Sequence, residues 1–290
     1  MILVVGSANL DFTVRAPHLP VPGETVLGPD FSTSPGGKGA NQAVAARRGG
    51  GSVAFLGAVG RDSYGKELRQ NLADNGVDTG FLREVDGPTG AAFITVSKSG
   101  ENAIVVASGA NGKLGPQDLP DFTGFSSLLL QLEISPDTVR EAARRARAGG
   151  ARVLLNAAPA RELDDDLLPN VDVLVVNEGE LRTLGGEGEV SEVARRLQAR
   201  GPHIVVVTLG AQGCFALSGQ EEHRLPAQKV KVVDTVGAGD TFAGVLSAWL
   251  DAGRAMPDAL RAANVAAALA CTREGAQNGM PTREEIQALL

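Results

Sequence analysis

Short, β-branched apolar runs punctuate this 290-residue chain with helical stretches between them, and that alternation limits its possible folds more than any other feature. The runs are Ile2–Val5, Val53–Leu56, 128–131, 153–156, Val173–Asn177 and 204–209. Each is continuous rather than broken by a polar residue at every second position, as strands are when both faces are covered. Between them, 39–49, 63–75, 136–148 and 189–200 carry helical spacing, with Asp62 and Ser135 as candidate N-caps. The pattern predicts an α/β fold in which helices wrap a mostly parallel sheet. Two stretches depart from it. Residues 11–34 and 88–108 alternate, as in Ala92-Phe93-Ile94-Thr95-Val96, and the second turns at Ser99-Gly100 into another run, 104–107, which reads as a hairpin. Inserted between sheet-and-helix units, these strands are expected to form a small second layer over a site at the strand ends. No internal repeat or low-complexity linker divides residues 1–290, which read as one unit.

Composition excludes several functions. With 27 basic and 34 acidic residues the net charge is −7, which carries no basic footprint for nucleic acid. Cys214 and Cys271 have no C-x-x-C spacing, so two buried thiols are expected rather than a disulfide or a zinc site. The opening MILVVGSANLD lacks a basic segment followed by a long apolar one, and Arg254, Asp258, Arg261 and Asn264 interrupt the alanine-rich stretch near the C-terminus. A cytoplasmic location without membrane contact is expected. Lys38, Lys66 and Lys113 follow glycines but precede neither Ser nor Thr, so no Walker A loop is present, and the nearest approach to G-x-G-x-x-G has Gln42 in the last glycine's place. His18, His203 and His223 form no H-E-x-x-H, and no G-x-S-x-G elbow occurs.

Two glycine-rich constellations remain. The first runs from Val233 to Phe242, where Gly237, Ala238, Gly239 and Asp240 lead straight into a helical pattern. Glycine turns and a helix N-terminus aim backbone N–H groups at one point, which suits a phosphate or phosphoryl oxygen. Asp240 at this turn is either an N-cap or a base that takes a proton from a substrate hydroxyl. In the second, Pro35-Gly36-Gly37-Lys38-Gly39-Ala40-Asn41-Gln42, Lys38 and Asn41 accompany the glycines and suit sugar hydroxyls, although an ordinary helix entry has the same pattern. Asn9 and Asp11 follow the first strand, where ligands gather in open parallel sheets, or are turn residues. A polyol binder, a carboxylate and an anion hole are the parts needed to move a phosphoryl group to a hydroxyl.

These segments resemble the PfkB-type carbohydrate kinases: V-V-G-S-A-N-L-D at 4–11, P-G-E-T-V at 22–26, P-G-G-K-G-A-N-Q-A-V-A-A at 35–46, N-A-A-P-A at 156–160 and D-T-V-G-A-G-D-T-F at 234–242. The resemblance runs nearly end to end. It implies a three-layer α/β fold with a small β-sheet lid, a homodimer in which two lids pair, and transfer of the ATP γ-phosphoryl group to the 5-hydroxyl of D-ribose. Asn9, Asp11, Gly37, Lys38, Asn41 and Glu133 match sugar ligands, although Glu133 by itself reads as a solvated loop carboxylate. Asp240 matches the base, and Gly237, Ala238 and Gly239 the anion hole. Asn177 and Glu180 match an N-x-x-E motif that orders Mg2+, waters and phosphates, where a helix cap is the plainer reading. Thr208, Gly210 and Gly213, otherwise turn residues, match a nucleotide loop, with Asn264 on the adenine side. A potassium site is implied at Asp234 and the carbonyls of Val236, Ala270, Arg273 and Gly275, with Gly279 standing where the family often has a serine. Related acceptors, such as fructose, 2-keto-3-deoxygluconate or a nucleoside, stay open, as does a sugar sensor without catalysis.

Overall fold

A computed structural model describes residues 1–290. In chain order its elements are β1 (Ile2–Val5), β2 (Asn9–Ala16), β3 (Phe31–Gly36), α1 (Lys38–Arg48), β4 (Val53–Leu56), β5 (Ala58–Gly60), α2 (Ser63–Asp74), β6 (Arg83–Val85), β7 (Gly90–Ser97) and β8 (Asn102–Ala107). There follow β9 (Ser127–Leu130), α3 (Pro136–Ala148), β10 (Arg152–Asn156), β11 (Val173–Asn177), α4 (Glu178–Gly185), α5 (Val190–Gln198), β12 (Ile204–Thr208), β13 (Cys214–Ser218), β14 (Glu221–Leu225), α6 (Ala238–Asp251), α7 (Met256–Ala270), α8 (Ala276–Gly279) and α9 (Arg283–Gln287).

Eight strands form the central sheet in the order β14-β13-β12-β11-β10-β9-β1-β4. Every neighbouring pair from β4 to β12 is parallel, and only the β12–β13 and β13–β14 pairs are antiparallel. Continuous apolar strands need cover on both faces, and they have it. Ile2, Val4, Phe55, Leu129, Leu154 and Val206 pack with α1, α6 and α7 into one core, while Leu3, Val5, Leu128, Leu155, Leu174 and Val207 pack with α3 and α5 into the other. Alternate side chains of one strand thus enter opposite cores, which fixes register, because a one-residue slip would exchange the two sets.

The lid is a separate sheet ordered β3-β2-β7-β8. The two interrupted stretches supply it jointly: β2 runs antiparallel to β3 and parallel to β7, and β7 and β8 form the hairpin. It leaves the body at the carboxyl end of β1, where Gly6-Ser7-Ala8 connects to β2. Asp62 caps α2 by accepting from the Gly65 N–H at 2.8 Å. Ser135 does not cap: it occupies the N-cap position of α3, but its hydroxyl makes no capping bond there. No helix is long and apolar enough to cross a membrane.

Candidate active site

The approach of α1 to α6 sets the geometry. A Cβ on Gly244 would lie 2.5 Å from the Gln42 carbonyl oxygen and 2.6 Å from the Ala45 Cβ, so only glycine lets the two backbones come this close. Asp240 lies one turn before Gly244 on the same helical face. Its Oδ2 accepts from Asn41 Nδ2 at 3.0 Å and its Oδ1 from Gln42 Nε2 at 2.9 Å. Asp240 is therefore no N-cap: Gly237 holds that position with left-handed backbone, φ 77° and ψ 0°. The N–H groups from Gly237 to Asp240 are those an α-helix cannot satisfy internally, and that of Ala238 alone turns back, to the Thr235 carbonyl at 3.3 Å.

Lys38, Asn156, Asn177, Glu180, Gly237, Gly239 and Asp240 line one cavity of about 250 Å³. The Lys38 ammonium is held above its ordinary pKa by Asp240, with Glu133 and Glu180 adding to this against the effect of burial. Asn177 and Glu180 form a reciprocal capping box, with Glu180 N–H donating to Asn177 Oδ1 and Asn177 N–H to Glu180 Oε2, each at 2.8 Å. The plainer reading of that pair is thus correct locally, yet both side chains still border the cavity. Burial, with some help from Asp240, pushes the Glu180 carboxyl up against the opposing pull of the Asn177 N–H and Lys38.

Thr208, Thr235 and Gly239 border both this cavity and a second cleft of about 480 Å³. Gly210, Gly213, Val232, Ala238, Asn264 and Ala267 line the cleft. At Gly213, φ is 98° and a Cβ would meet the Leu225 carbonyl oxygen at 1.9 Å, so only glycine lets this turn lie against the 225–227 backbone. Asn264 Nδ2 donates to the Pro226 carbonyl at 2.7 Å.

The lid side is built differently. Asn9 is buried and its Oδ1 accepts from Asn111 Nδ2 at 2.7 Å. Asp11 stands beside Gly36, where any Cβ would collide with the carboxylate, 2.1 Å from Oδ2. Burial and the Glu133 and Asp240 charges push the Asp11 carboxyl up to about 7, and its buried Oδ1 has no donor. Glu133 is not a solvated loop residue: Oε2 accepts from Ser7 Oγ at 2.6 Å and from the Lys38 N–H at 3.0 Å. Gly37, at φ 85°, has no room for a Cβ, which would lie 2.8 Å from the Asn9 nitrogen. Asn41 borders no open space with its oxygen, since Oδ1 accepts from Gln277 Nε2 at 3.0 Å. Sequence reasoning missed Gln131, Asn111 and Gln277, and gave no role to Gln42 or Asn156, although both stand in the family-like segments A-N-Q-A and N-A-A-P-A.

Behind the α6 N-terminus, Asp234 ties two segments together, accepting from the Val236 N–H at 3.0 Å and from the Gly275 N–H at 2.9 Å. A Cβ on Gly279 would lie 2.8 Å from the Ala270 carbonyl oxygen and 3.6 Å from that of Arg273, so both carbonyl oxygens lie against Gly279. The Arg273 side chain points elsewhere, pairing with Glu285.

A parallel sheet with a strand-end cleft sized for a nucleotide, joined to a polar pocket that holds a carboxylate at a helix N-terminus, defines a phosphotransferase of the carbohydrate-kinase class. The chain belongs to the pfkB family of carbohydrate kinases, which it matches over residues 1–283. Within that family it is similar to the ribokinase of Haemophilus influenzae, 39% identical over 100% of this chain and 98% of that one. The ribokinase of Bacillus subtilis is 39% identical over 100% and 99%. The structure of Arabidopsis thaliana ribokinase complexed with ribose and ATP matches with a TM-score of 0.93, at 32% identity, over 99% of this chain and 97% of that one.

Proposed function

We propose that the chain phosphorylates D-ribose at its 5-hydroxyl, with ATP as donor and ribose 5-phosphate and ADP as products. One observation carries this reading: the Asp240 carboxylate is presented at the N-terminus of α6, in the pocket it shares with Lys38, where that pocket joins the larger cleft. The adenosine occupies the cleft beside Asn264 and the Gly210–Gly213 turn, and the sugar lies between Asp240 and the Asn9–Asp11 segment beneath the lid. Asp240 takes the hydroxyl proton as the sugar oxygen bonds to the γ-phosphorus, and the bond to the bridging oxygen breaks to release ADP. The α6 N-terminal amides stabilise the charge that develops on the transferred group.

Bound with the nucleotide, Mg2+ supplies neutralisation of phosphate charge. Glu180 Oε1, which has no protein donor, and Asn177 are oxygen ligands of the type such an ion and its waters accept. The oxygens that would hold a potassium ion are the Ala270 and Arg273 carbonyls beside Gly279, with the carbonyls of Val236 and Gly275 and the Asp234 carboxylate, and the ion would supply positive charge behind the α6 N-terminus.

A second copy of this chain is the proposed partner of the lid. Phe31, Phe93 and Val105 are 67%, 51% and 68% exposed on one face, where Phe12 stacks on Phe93 at 5.4 Å. Such an apolar face favours burial against another surface.

Asp240→Asn tests the mechanism. Ribose still binds, while kcat falls about 10²–10⁴-fold. A kcat within about tenfold of the parent removes Asp240 from the base role. ADP release across a panel of sugars and nucleosides, with mass spectrometry of the product, tests the acceptor.

A further inference from the structure

We infer that Gln277 and Gln131 are positioning residues that hold Asp240 ready, by fixing which end of a neighbouring amide meets its carboxylate. The inference rests on the reading of Asp240 as the base. An Asn or Gln side chain has a donor end and an acceptor end of nearly equal size, so the amide can turn over unless its other end is committed. Turned over beside Asp240, it would set a carbonyl oxygen against a carboxylate.

Both amides on Asp240 are committed. Asn41 donates to Oδ2 while its own oxygen accepts from Gln277 Nε2 at 3.0 Å, and Gln277 Oε1 in turn accepts from Asn71 Nδ2 at 2.6 Å. Gln42 donates to Oδ1 and also to Asn156 Oδ1 at 2.9 Å, while its Oε1 accepts from Gln131 Nε2 at 2.7 Å. Asn41, Gln42, Gln131 and Gln277 are all buried, at most 6% exposed, so no bulk water competes for these groups. Apart from the second Gln42 N–H, which goes to Asn156, the N–H groups of both chains run toward Asp240, the sense in which successive hydrogen bonds reinforce one another.

An independent observation supports that polarity. The one side-chain oxygen in these chains left buried without a donor is Gln131 Oε1, at the end farthest from the base. A buried acceptor without a donor is destabilising, so its place in the network matters. The fold leaves it at the remote end, where a Cβ on Gly6 would collide with it, 2.0 Å away.

Gln277→Met removes the donor and frees Asn41 to turn. The expected result is a kcat about tenfold lower, a ribose KM within about twofold, and an acidic limb of the kcat profile moved to higher pH, because a carboxylate that loses a donor holds its proton more tightly. The charged groups facing Asp240, which are Lys38 on α1, Asp11 on β2 and Glu180 on α4, are the same in parent and variant. Gln277→Glu, which can only accept, locks Asn41 in the wrong sense, and its kcat falls further, about 100-fold. Where these variants fail to fold, Asn71→Leu, one step farther out, gives a fall of about threefold with the same direction of pH shift. An acidic limb that stays in place in the folded variants, whatever their melting temperatures, overturns the inference. Asp240→Asn measured alongside separates the two claims: if it abolishes turnover while the limb stays fixed in Gln277→Met, the positioning role alone falls.

Discussion

Asp11 enters the folded state with its charge opposed by burial, by Glu133 and by Asp240, and its folded pKa of about 7 lies above its unfolded value of 3.8. Between those values the native chain keeps a proton that the unfolded chain has released, so stability falls as pH rises through this window and levels off above about 7. Asp11→Asn removes the charge. Its melting temperature matches the parent's near pH 4 and exceeds it by about 5 °C at pH 8, read by calorimetry across that range. A constant difference at every pH contradicts the assignment. Gly36 belongs to the same argument: Gly36→Ala displaces the Asp11 carboxylate, and ribose KM rises several-fold while ATP KM is unchanged.

Among the elements, α6 carries the site because its N-terminal turn is built by Gly237. A side chain there meets a left-handed φ of 77° and the Ala276 Cα at 2.8 Å. Gly237→Ala costs at least about 1 kcal/mol and pushes the helix start away from α8. In steady-state kinetics, kcat falls at least tenfold and ribose affinity is retained. The strands of the parallel sheet and the lid hairpin were legible in the sequence because burial on two faces or one leaves a periodic trace. Strand β14, Glu-Glu-His-Arg-Leu at the sheet edge, left none, since one face of an edge strand meets water. The Gly37–Asn41 and Gly237–Asp240 segments were legible because glycines and functional groups sit side by side in the chain. Gln131 and Gln277 were not, and Gln42, though visible in A-N-Q-A, had no readable partners: the three come from a strand end, the short α8 and α1, and contacts across 89 to 236 positions leave no spacing to read. Asn41 is the instructive case, a residue type suited to sugar whose amide the fold devotes to Asp240 and Gln277.

At the scale of the molecule, the lid has apolar residues on both faces, with Ile94 and Ile104 paired on the same side as Asp11, and Phe93 and Val105 paired on the other. The proposed second copy would bury the exposed Phe31, Phe93 and Val105 face of this sheet. Replacing Val105 and Phe93 by lysine yields monomers in sedimentation velocity, with a higher ribose KM because the sugar side is left more open. Sedimentation as a dimer with both lysines in place would locate the interface elsewhere.

Thr208, Thr235 and Gly239 line both of the hollows described above, so occupants of the two would meet at these residues. Inhibitor chemistry follows from this layout. An adenosine tethered through a phosphate chain to a pentose would span that junction, gaining from both chambers at once the affinity that neither fragment reaches alone.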